Sequence, residues 1–171
     1  MTLNLRLLLR RKSRKMLCLS DIGRLQFFVI GRPATAGSKR VFKHWKTGKL
    51  IVTDACKHGK PWRKNVQKSA MAEMEGAGIV KDIPLSVTIR FLLPRPKSHF
   101  RSGRYSDKLR DDVPAYHLIR PDVDKMSRAI LDAMTGVVYM DDSLIVSKKV
   151  SKEYASPGED PGADITVELL T

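Results

Sequence analysis

Residues 120–142 have the sequence RPDVDKMSRAILDAMTGVVYMDD, which places five acids in a chain otherwise rich in lysine and arginine. Asp124 stands where a helix N-cap belongs, apolar residues follow at helical spacing, and Gly136 is suited to end the helix. Residues 137–140 predict a short strand, and the pair of acids after them predicts a turn. A helix followed by a returning strand would bring the last two acids towards the first two. The acids are Asp122, Asp124, Asp132, Asp141 and Asp142.

Grouped carboxylates favour a divalent cation, because each ionised neighbour raises the cost of ionising the next. Mg²⁺ is normally held by one or two carboxylates together with waters and substrate phosphates. In a basic chain this arrangement predicts a metal-dependent nuclease, whose cationic surface binds the polyanion that the acidic centre cuts. The alternative is that Asp122 and Asp124 only cap a helix and that Asp141 and Asp142 only form a turn, since aspartate is common at both positions.

The composition agrees with a nucleic-acid partner. The chain has 171 residues, with 32 Lys and Arg against 18 Asp and Glu, for a formal net charge of +14. This length suits one domain with a real core. A balance this basic points to nucleic acid or to an anionic membrane surface. No membrane association is expected, because no apolar stretch approaches the length of a spanning helix.

Cysteine and histidine usage argues against other classes of site. Cys18 and Cys56 are far apart in the sequence and form no Cys-x-x-Cys pair, which disfavours a disulfide framework and a structural zinc site. The histidines are scattered without ligand spacing, so they are expected on the surface or at phosphates. Reduced cysteines and the lack of a secretory signal predict a cytoplasmic protein.

Residues 1–24 stand apart from the rest as a basic segment with a single acid. One interpretation is a disordered leader, or an upstream extension of a chain whose natural start is Met16. The other is a basic arm that lies on DNA phosphates.

Residues 25–171 predict one small α+β domain, with an antiparallel or mixed sheet and two main helices. Strands are expected at 25–30, 85–93, 144–150 and 165–169, a hairpin at 41–52 with its turn at 46–48, and a helix at 61–75. Thr53 or Asp54 is expected to cap that helix, and Phe42 to lie in the core. Residues 97–117 follow neither a helical nor a strand period and predict a loop.

The acidic stretch resembles the RusA family of Holliday-junction resolvases, which is common in phages and prophages. The matching runs are RPDVDK, AILDAMTGVVY and DDSLIV, all within residues 120–146, with weaker support from GRPATAGSKRVF at residues 31–42. The resemblance covers roughly residue 25 to the C-terminus. It implies a RusA-like fold and a homodimeric endodeoxyribonuclease that binds four-way junction DNA and cuts it symmetrically in recombination and repair. It also implies Mg²⁺ as the cofactor, with Mn²⁺ as a substitute, and the bacterial host cytoplasm as the location.

The resemblance assigns roles to the acids one by one. Asp122 and Asp124 match the family's Asp-x-Asp, and Asp142 matches the catalytic acid of its Asp-Asp pair. All three are therefore expected to be catalytic metal ligands. Asp141 matches a neighbouring acid and is included among the expected metal ligands. Asp132 matches an acid inside the helix and is expected to be structural.

Two basic residues depart from the family pattern. Lys125 follows the second acid, where the family often has Asn, and Arg128 replaces a functional lysine. Arginine keeps the positive charge but cannot act as a base, because it does not deprotonate in proteins. An electrostatic role in catalysis is therefore expected for Arg128 or for Lys125.

Two basic loops are the expected DNA contacts. Residues 31–40 combine glycines with basic side chains, and glycine lets backbone N–H groups approach a phosphate closely. Residues 97–117 carry aromatic residues among basic ones, a pattern that suits nucleic acid. A solvated turn and a solvated insertion are the alternatives, while Trp45 fits either the core or an exposed base. The predicted contacts are Arg32, Lys39, Arg40, Arg101 and Arg104.

Two other functions are compatible with the same residues. A non-catalytic basic DNA-binding protein would use its acids only at caps and turns. A nuclease that prefers forks or flaps would need the same metal ligands as a resolvase. Only a comparison of these substrates separates the second possibility from a resolvase.

Overall fold

The computed structural model describes residues 23–36, 39–54, 56–74 and 77–170, so the first 22 residues of the predicted leader lie outside the described part. The described ranges form the α+β fold that the sequence predicts, with a mixed sheet and two α-helices. The elements are β1 (Arg24–Ile30), β2 (Lys39–Lys43), β3 (Leu50–Asp54), α1 (Gly59–Glu73), β4 (Leu85–Leu93), α2 (Val123–Met134), β5 (Ile145–Tyr154) and β6 (Gly162–Leu169).

The main sheet has the strand order β1-β6-β4-β5. Strand β6 is antiparallel to both β1 and β4, whereas β4 and β5 are parallel. Parallel neighbours need a long crossover connection. Here the crossover consists of the long loop after β4 and helix α2, and it carries all five acids of the 120–142 stretch up to the start of β5.

Both helices pack on the sheet through apolar faces. Alternate residues of β4, among them Val87, Ile89 and Phe91, are buried, as the period-two pattern predicts. Each fully buried side chain of this kind contributes about 1.5–3 kcal/mol. The sheet and α1 therefore fix the position of α2. The helices contribute Trp62, Val66, Ala70, Met126, Ile130 and Met134 to the core.

The helix starts differ from the predictions. Helix α1 begins at Gly59 with His58 at its N-cap, so the expected capping by Thr53 or Asp54 is wrong. The reason is that both residues belong to β3, where they pair with Arg40 and Lys39 across the hairpin.

The strand predicted at residues 137–140 is also wrong, because these residues form a turn. Gly136 adopts a φ of 74°, and its N–H donates to the carbonyl of Tyr139 at 2.8 Å. The buried Tyr139 hydroxyl donates to the carbonyl of Leu131 at 3.0 Å. These bonds fold the chain back onto the end of α2 instead of extending it.

The predicted hairpin is present as β2 and β3, which pair in antiparallel register. It does not bury Phe42, whose side chain is half exposed, so the core placement expected for this residue is wrong. Residues 97–117 contain short 3₁₀ turns and otherwise form the predicted loop. Within the described ranges, no helix has both the length and the apolar character that crossing a bilayer would require.

Candidate active site

The first pair of acids lies at the start of α2. Asp122 is the N-cap, which corrects the prediction that Asp124 holds this position, and Asp124 lies in the first turn. The Asp122 side chain accepts no capping hydrogen bond, and its Oδ2 instead lies 3.2 Å from Nζ of Lys125. Both carboxylates are exposed. Capping by the Asp122 side chain, which was the simplest alternative to a functional role, therefore does not occur.

A cleft of about 330 Å³ opens beside Asp122. Its far wall comes from the loop after β1, which is tied to α2 by a hydrogen bond from the N–H of Ala36 to the carbonyl of Lys125 at 3.1 Å. The exposed Arg32 belongs to the same loop. A predicted DNA contact thus lies in the loop that walls the acidic helix start. The cleft is lined by Thr35, Arg120, Pro121, Asp122 and Lys125.

Two lysines of β5 hold this region in place. Lys152 Nζ donates to the carbonyls of Ile119 and Pro121, at 2.8 and 2.9 Å. Lys148 Nζ donates to the buried Ser127 hydroxyl at 3.3 Å, and that hydroxyl donates to the Asp124 carbonyl at 3.0 Å. The sequence interpretation assigned no role to either lysine. Their spacing of four places them on one face of a strand, and this was the available signal.

The second pair of acids lies after α2. Asp141 Oδ1 accepts a hydrogen bond from the N–H of Ser143 at 2.9 Å and so caps the short 3₁₀ turn Asp142–Leu144. Hydrogen bonds from Ser143 hold the pKa of Asp141 below its ordinary value. Burial raises the pKa of the Tyr139 hydroxyl well above its ordinary value, and the nearby Asp142 carboxylate raises it further. Asp142 is exposed, and its effect on the pKa of Tyr139 indicates that the two side chains lie near each other.

The two pairs do not converge into one cluster. Among the described residues, no three Asp, Glu, His or Cys side chains are grouped so that they could hold a metal ion. Because the expected returning strand is a turn, the chain reaches Asp142 beside Tyr139, whose hydroxyl contacts Leu131. The Leu131 carbonyl lies about two and a half helical turns from Asp122 along α2. The acids therefore occupy two places along α2.

An exposed stripe of α2 connects these two places. Asp124, Arg128 and Asp132 follow one another at a spacing of four, which puts them on one helix face, and all three are exposed. Asp132, which was expected to be structural, is thus not part of the packed core. Its carboxylate contributes to the raised pKa of Tyr139. Between the cleft and Asp142, the stripe therefore presents a carboxylate, a guanidinium and a second carboxylate.

A family model of the endodeoxyribonuclease RusA matches residues 31–168. The chain belongs to the RusA family. The matched span includes the cleft, both pairs of acids and the stripe, and it confirms the resemblance and the RusA-like fold. The uncharacterized protein YqaN of Bacillus subtilis (strain 168) is similar: it is 27% identical over 147 residues, which cover 86% of this chain and 97% of the relative.

The basic residues predicted as DNA contacts have different surroundings in this RusA-family chain. Arg101 Nη2 donates to both carboxylate oxygens of Asp111 at 2.9 Å, and its Nε donates to the Leu109 carbonyl at 3.3 Å, so its guanidinium ties the long loop together. Arg104 is exposed and lies over the ring of Tyr105 at 4.8 Å. Lys39 and Arg40 belong to β2, and their side chains lie outside the described part of the structure.

The end of the long loop is anchored to β5 just before the acidic stretch. The N–H of His117 donates to the Lys152 carbonyl at 3.2 Å, and the N–H of Tyr154 donates to the Ala115 carbonyl at 3.0 Å. The His117 ring is buried and packs against the Tyr154 ring at 4.8 Å. Burial and the nearby Lys152 ammonium lower the pKa of His117 below its ordinary value of 6.5.

This buried histidine makes stability depend on pH. Because its pKa is lower in the folded chain, the unfolded chain binds the proton first and protonation favours unfolding. We expect the free energy of unfolding to decrease as the pH falls through 6.5 and to level off below the folded pKa of His117. His117→Gln should remove this part of the slope, measured by urea unfolding across the range. The exposed His58 gives the matched variant His58→Gln, and an equal flattening in both would contradict the assignment.

Proposed function

We propose that this chain is a metal-dependent endonuclease that resolves four-way DNA junctions by paired, symmetric cuts. The observation that carries the proposal is Asp122. Its carboxylate stands at a helix N-cap without capping, lines a cleft and pairs with Lys125 at 3.2 Å. An exposed carboxylate that does not cap its helix and lies beside a cationic partner suits a phosphate-cutting centre in a RusA-family chain with a net charge of +14.

The donor set at the helix start fits Mg²⁺. This ion takes one or two carboxylates and completes its shell with waters and substrate phosphates, so a cage of three acids is not required. Asp122 and Asp124 would hold it, and Mn²⁺ is the expected substitute. Asp142 and the capping acid Asp141, which lie at the other place along α2, would be the ligands of a second ion. When bound, such a metal lowers the pKa of a coordinated water and offsets charge on the scissile phosphate.

The basic side chains act on the phosphate. Lys125 balances the charge of Asp122 before substrate binds, and both residues line the cleft. If the Asp122 carboxylate bound a metal ion, the Lys125 ammonium would be available to bind a phosphate in the cleft. Arg128 lies one turn beyond Asp124 on the exposed stripe, where its permanent charge can stabilise the additional negative charge of the transition state.

The proposed assembly is a homodimer in the cytoplasm of the bacterial host of a phage or prophage. Two paired cuts in a substrate with two-fold symmetry are most simply made by two active sites related by the same symmetry. The predicted contacts would then bind phosphates of the junction arms; they are Arg32, Lys39, Arg40, Arg101 and Arg104.

The test is a cleavage assay on a four-way junction, a fork, a flap and a linear duplex of matched length. We expect paired nicks at symmetry-related positions of the junction with Mg²⁺ or Mn²⁺, and uncut DNA with EDTA. Faster cutting of forks or flaps would replace the resolvase proposal by the fork or flap nuclease. An absence of cutting on all four substrates would leave a non-catalytic DNA-binding protein.

Lys152 is expected to position the backbone segment from Ile119 to Pro121, which leads to Asp122. Lys152→Met removes the hydrogen bonds to Ile119 and Pro121, and we expect cleavage to fall by roughly 10- to 100-fold, as when residues that orient metal ligands are lost. The Mg²⁺ concentration at half-maximal rate should rise, while junction affinity in EDTA stays near wild type. Lys149→Met, on the other face of β5 and exposed, is the matched control.

Lys152→Arg tests the same point from the other direction. A guanidinium can donate to both carbonyls, so this variant should recover part of the lost rate. The positioning role is wrong if Lys152→Met lowers only the urea midpoint and leaves the Mg²⁺ dependence of the rate unchanged.

A further inference from the structure

The β2–β3 hairpin presents apolar side chains to solvent. Val41, Leu50 and Val52 are 60%, 72% and 56% exposed, and the register Val41↔Val52 and Lys43↔Leu50 puts them on one face. Within the described ranges, no third strand joins this pair. An isolated two-stranded hairpin is only marginally stable in water. The hairpin is therefore a solvent-exposed element that is available for binding.

The tip of the hairpin is an ordered turn. The N–H of His44 donates to the Lys49 carbonyl, and the N–H of Gly48 donates to the His44 carbonyl, both at 2.8 Å. Gly48 takes the φ of 67° that the turn needs, and Thr47 contacts the His44 ring through its N–H and its hydroxyl. The turn holds Trp45 outward, with 84% of the residue exposed. An indole presented in this way is a preformed contact surface.

The charge around the indole identifies the class of partner. Lys46 Nζ lies 4.7 Å from the centroid of the Trp45 ring, and Lys43 and Lys49 flank the turn. The sequence from residue 39 to residue 53 contains no acid. This surface complements a polyanion and repels a second copy of a chain that carries a net charge of +14.

The exposed indole of Trp45 indicates that the partner offers an accessible base face as well as phosphates. Aromatic side chains stack on nucleobases with about 1–3 kcal/mol per base, whatever the base, but only where the base face is accessible. Within a continuous duplex both faces of each base are covered by its neighbours. At a branch point or in an unpaired segment they are not.

We propose that the hairpin tip recognises exposed bases of branched DNA. Trp45 stacks on an unstacked base face, and Lys43, Lys46 and Lys49 contact the phosphates beside it. The inference rests on the proposed DNA substrate and adds to it the element that distinguishes a branch point from plain duplex. The acids take no part in this recognition.

Tryptophan fluorescence tests the contact directly, because the only other tryptophan, Trp62, is buried in the core. In EDTA, a four-way junction should quench wild-type emission, and the quenched component should be missing in Trp45→Ala. A linear duplex of equal length should leave the emission nearly unchanged. Trp45→Ala should weaken junction binding by about 5- to 150-fold, which corresponds to the loss of one stacked base, and should leave duplex binding unchanged.

Two further variants separate the possible outcomes. Trp45→Phe retains an aromatic ring and should keep most of the junction affinity. Leu50→Ala removes an exposed apolar side chain from the strand and should have little effect. Equal losses on junction and duplex with Trp45→Ala would overturn the proposal, and so would a change in oligomeric mass without DNA, which would indicate a protein-docking surface.

The test of junction binding through Trp45 does not depend on whether the chain cuts DNA. A chain that binds junctions through Trp45 but cuts no DNA with Mg²⁺ would support this inference and contradict the proposed nuclease. A chain that cuts junctions normally, with unchanged affinity in Trp45→Ala, would contradict this inference alone.

Discussion

Asp122→Asn is expected to lower junction cleavage at least about a hundredfold, because even residues that only orient metal ligands contribute roughly 10- to 100-fold. The same change should leave junction binding in EDTA as tight as in wild type, or tighter. The amide has nearly the size of the carboxylate but lacks its charge. It therefore removes a repulsive group from the cleft and frees Lys125 from the 3.2 Å pair that it forms with Asp122. Asp124→Asn and Asp142→Asn should behave alike in cleavage.

The measurement combines single-turnover cleavage in Mg²⁺ with binding titrations in EDTA over a range of salt. Asp160→Asn, at an exposed position in the turn between β5 and β6, changes the net charge equally and serves as the control. Wild-type turnover by the Asp142 variant would remove that residue from the site. Loss of metal-free binding by a folded Asp122 variant would mean that the carboxylate organises the binding surface, and a pure ligand role would then be wrong.

Gly162→Ala is expected to lower the free energy of unfolding by about 2 to 3 kcal/mol, the upper part of the range for overpacking a fixed interior. Gly162 opens β6 and pairs with Ile30 on one side and Leu92 on the other. A Cβ atom there would overlap the carbonyl oxygen of Val29 and the ring of Phe28. The ring can rotate away, but the carbonyl belongs to the backbone of a paired strand. Relief would therefore require β1 and β6 to separate.

Thermal unfolding should show a decrease of about 4 to 12 °C in Tm for this variant. The matched control is Gly78→Ala, because a Cβ at Gly78 meets nothing within 4 Å. Substitutions at such surface positions usually stay within about 0.5 kcal/mol. Equal Tm values for the two variants would show that β1 and β6 accommodate the added methyl group without a loss of stability.

The parts of the fold that could be predicted are those in which burial follows a local period. Strand β4 has the predicted bounds because alternate residues face the core, and α2 has the predicted apolar face. Residues 137–140 were mispredicted because a short apolar run has no period that distinguishes a strand from a buried turn. The contact between Tyr139 and Leu131, which depends on the completed helix, helps to select the turn, together with the backbone bond between Gly136 and Tyr139.

The candidate site also combines features that could be predicted from the sequence with features that could not. The identity of the acids and their order were accessible from the sequence, since residue type and spacing carry that information. The contacts of Lys152 with Ile119 and Pro121 join residues that are remote in sequence, and local patterns do not encode them. The exposure of Phe42 and Trp45 was equally inaccessible, because it depends on whether another element covers the hairpin.

The Lys152 contacts bear on how this enzyme surface can change over evolution. Lys152 binds main-chain carbonyls, so the contacts do not depend on which side chains occupy the segment before Asp122. Leu118 and Ile119 in that segment are 84% and 67% exposed. Their side chains can therefore be exchanged for polar, basic or aromatic ones while the backbone that leads to the first acid stays in place. We therefore expect that this segment can vary in sequence without displacing the proposed catalytic residue Asp122.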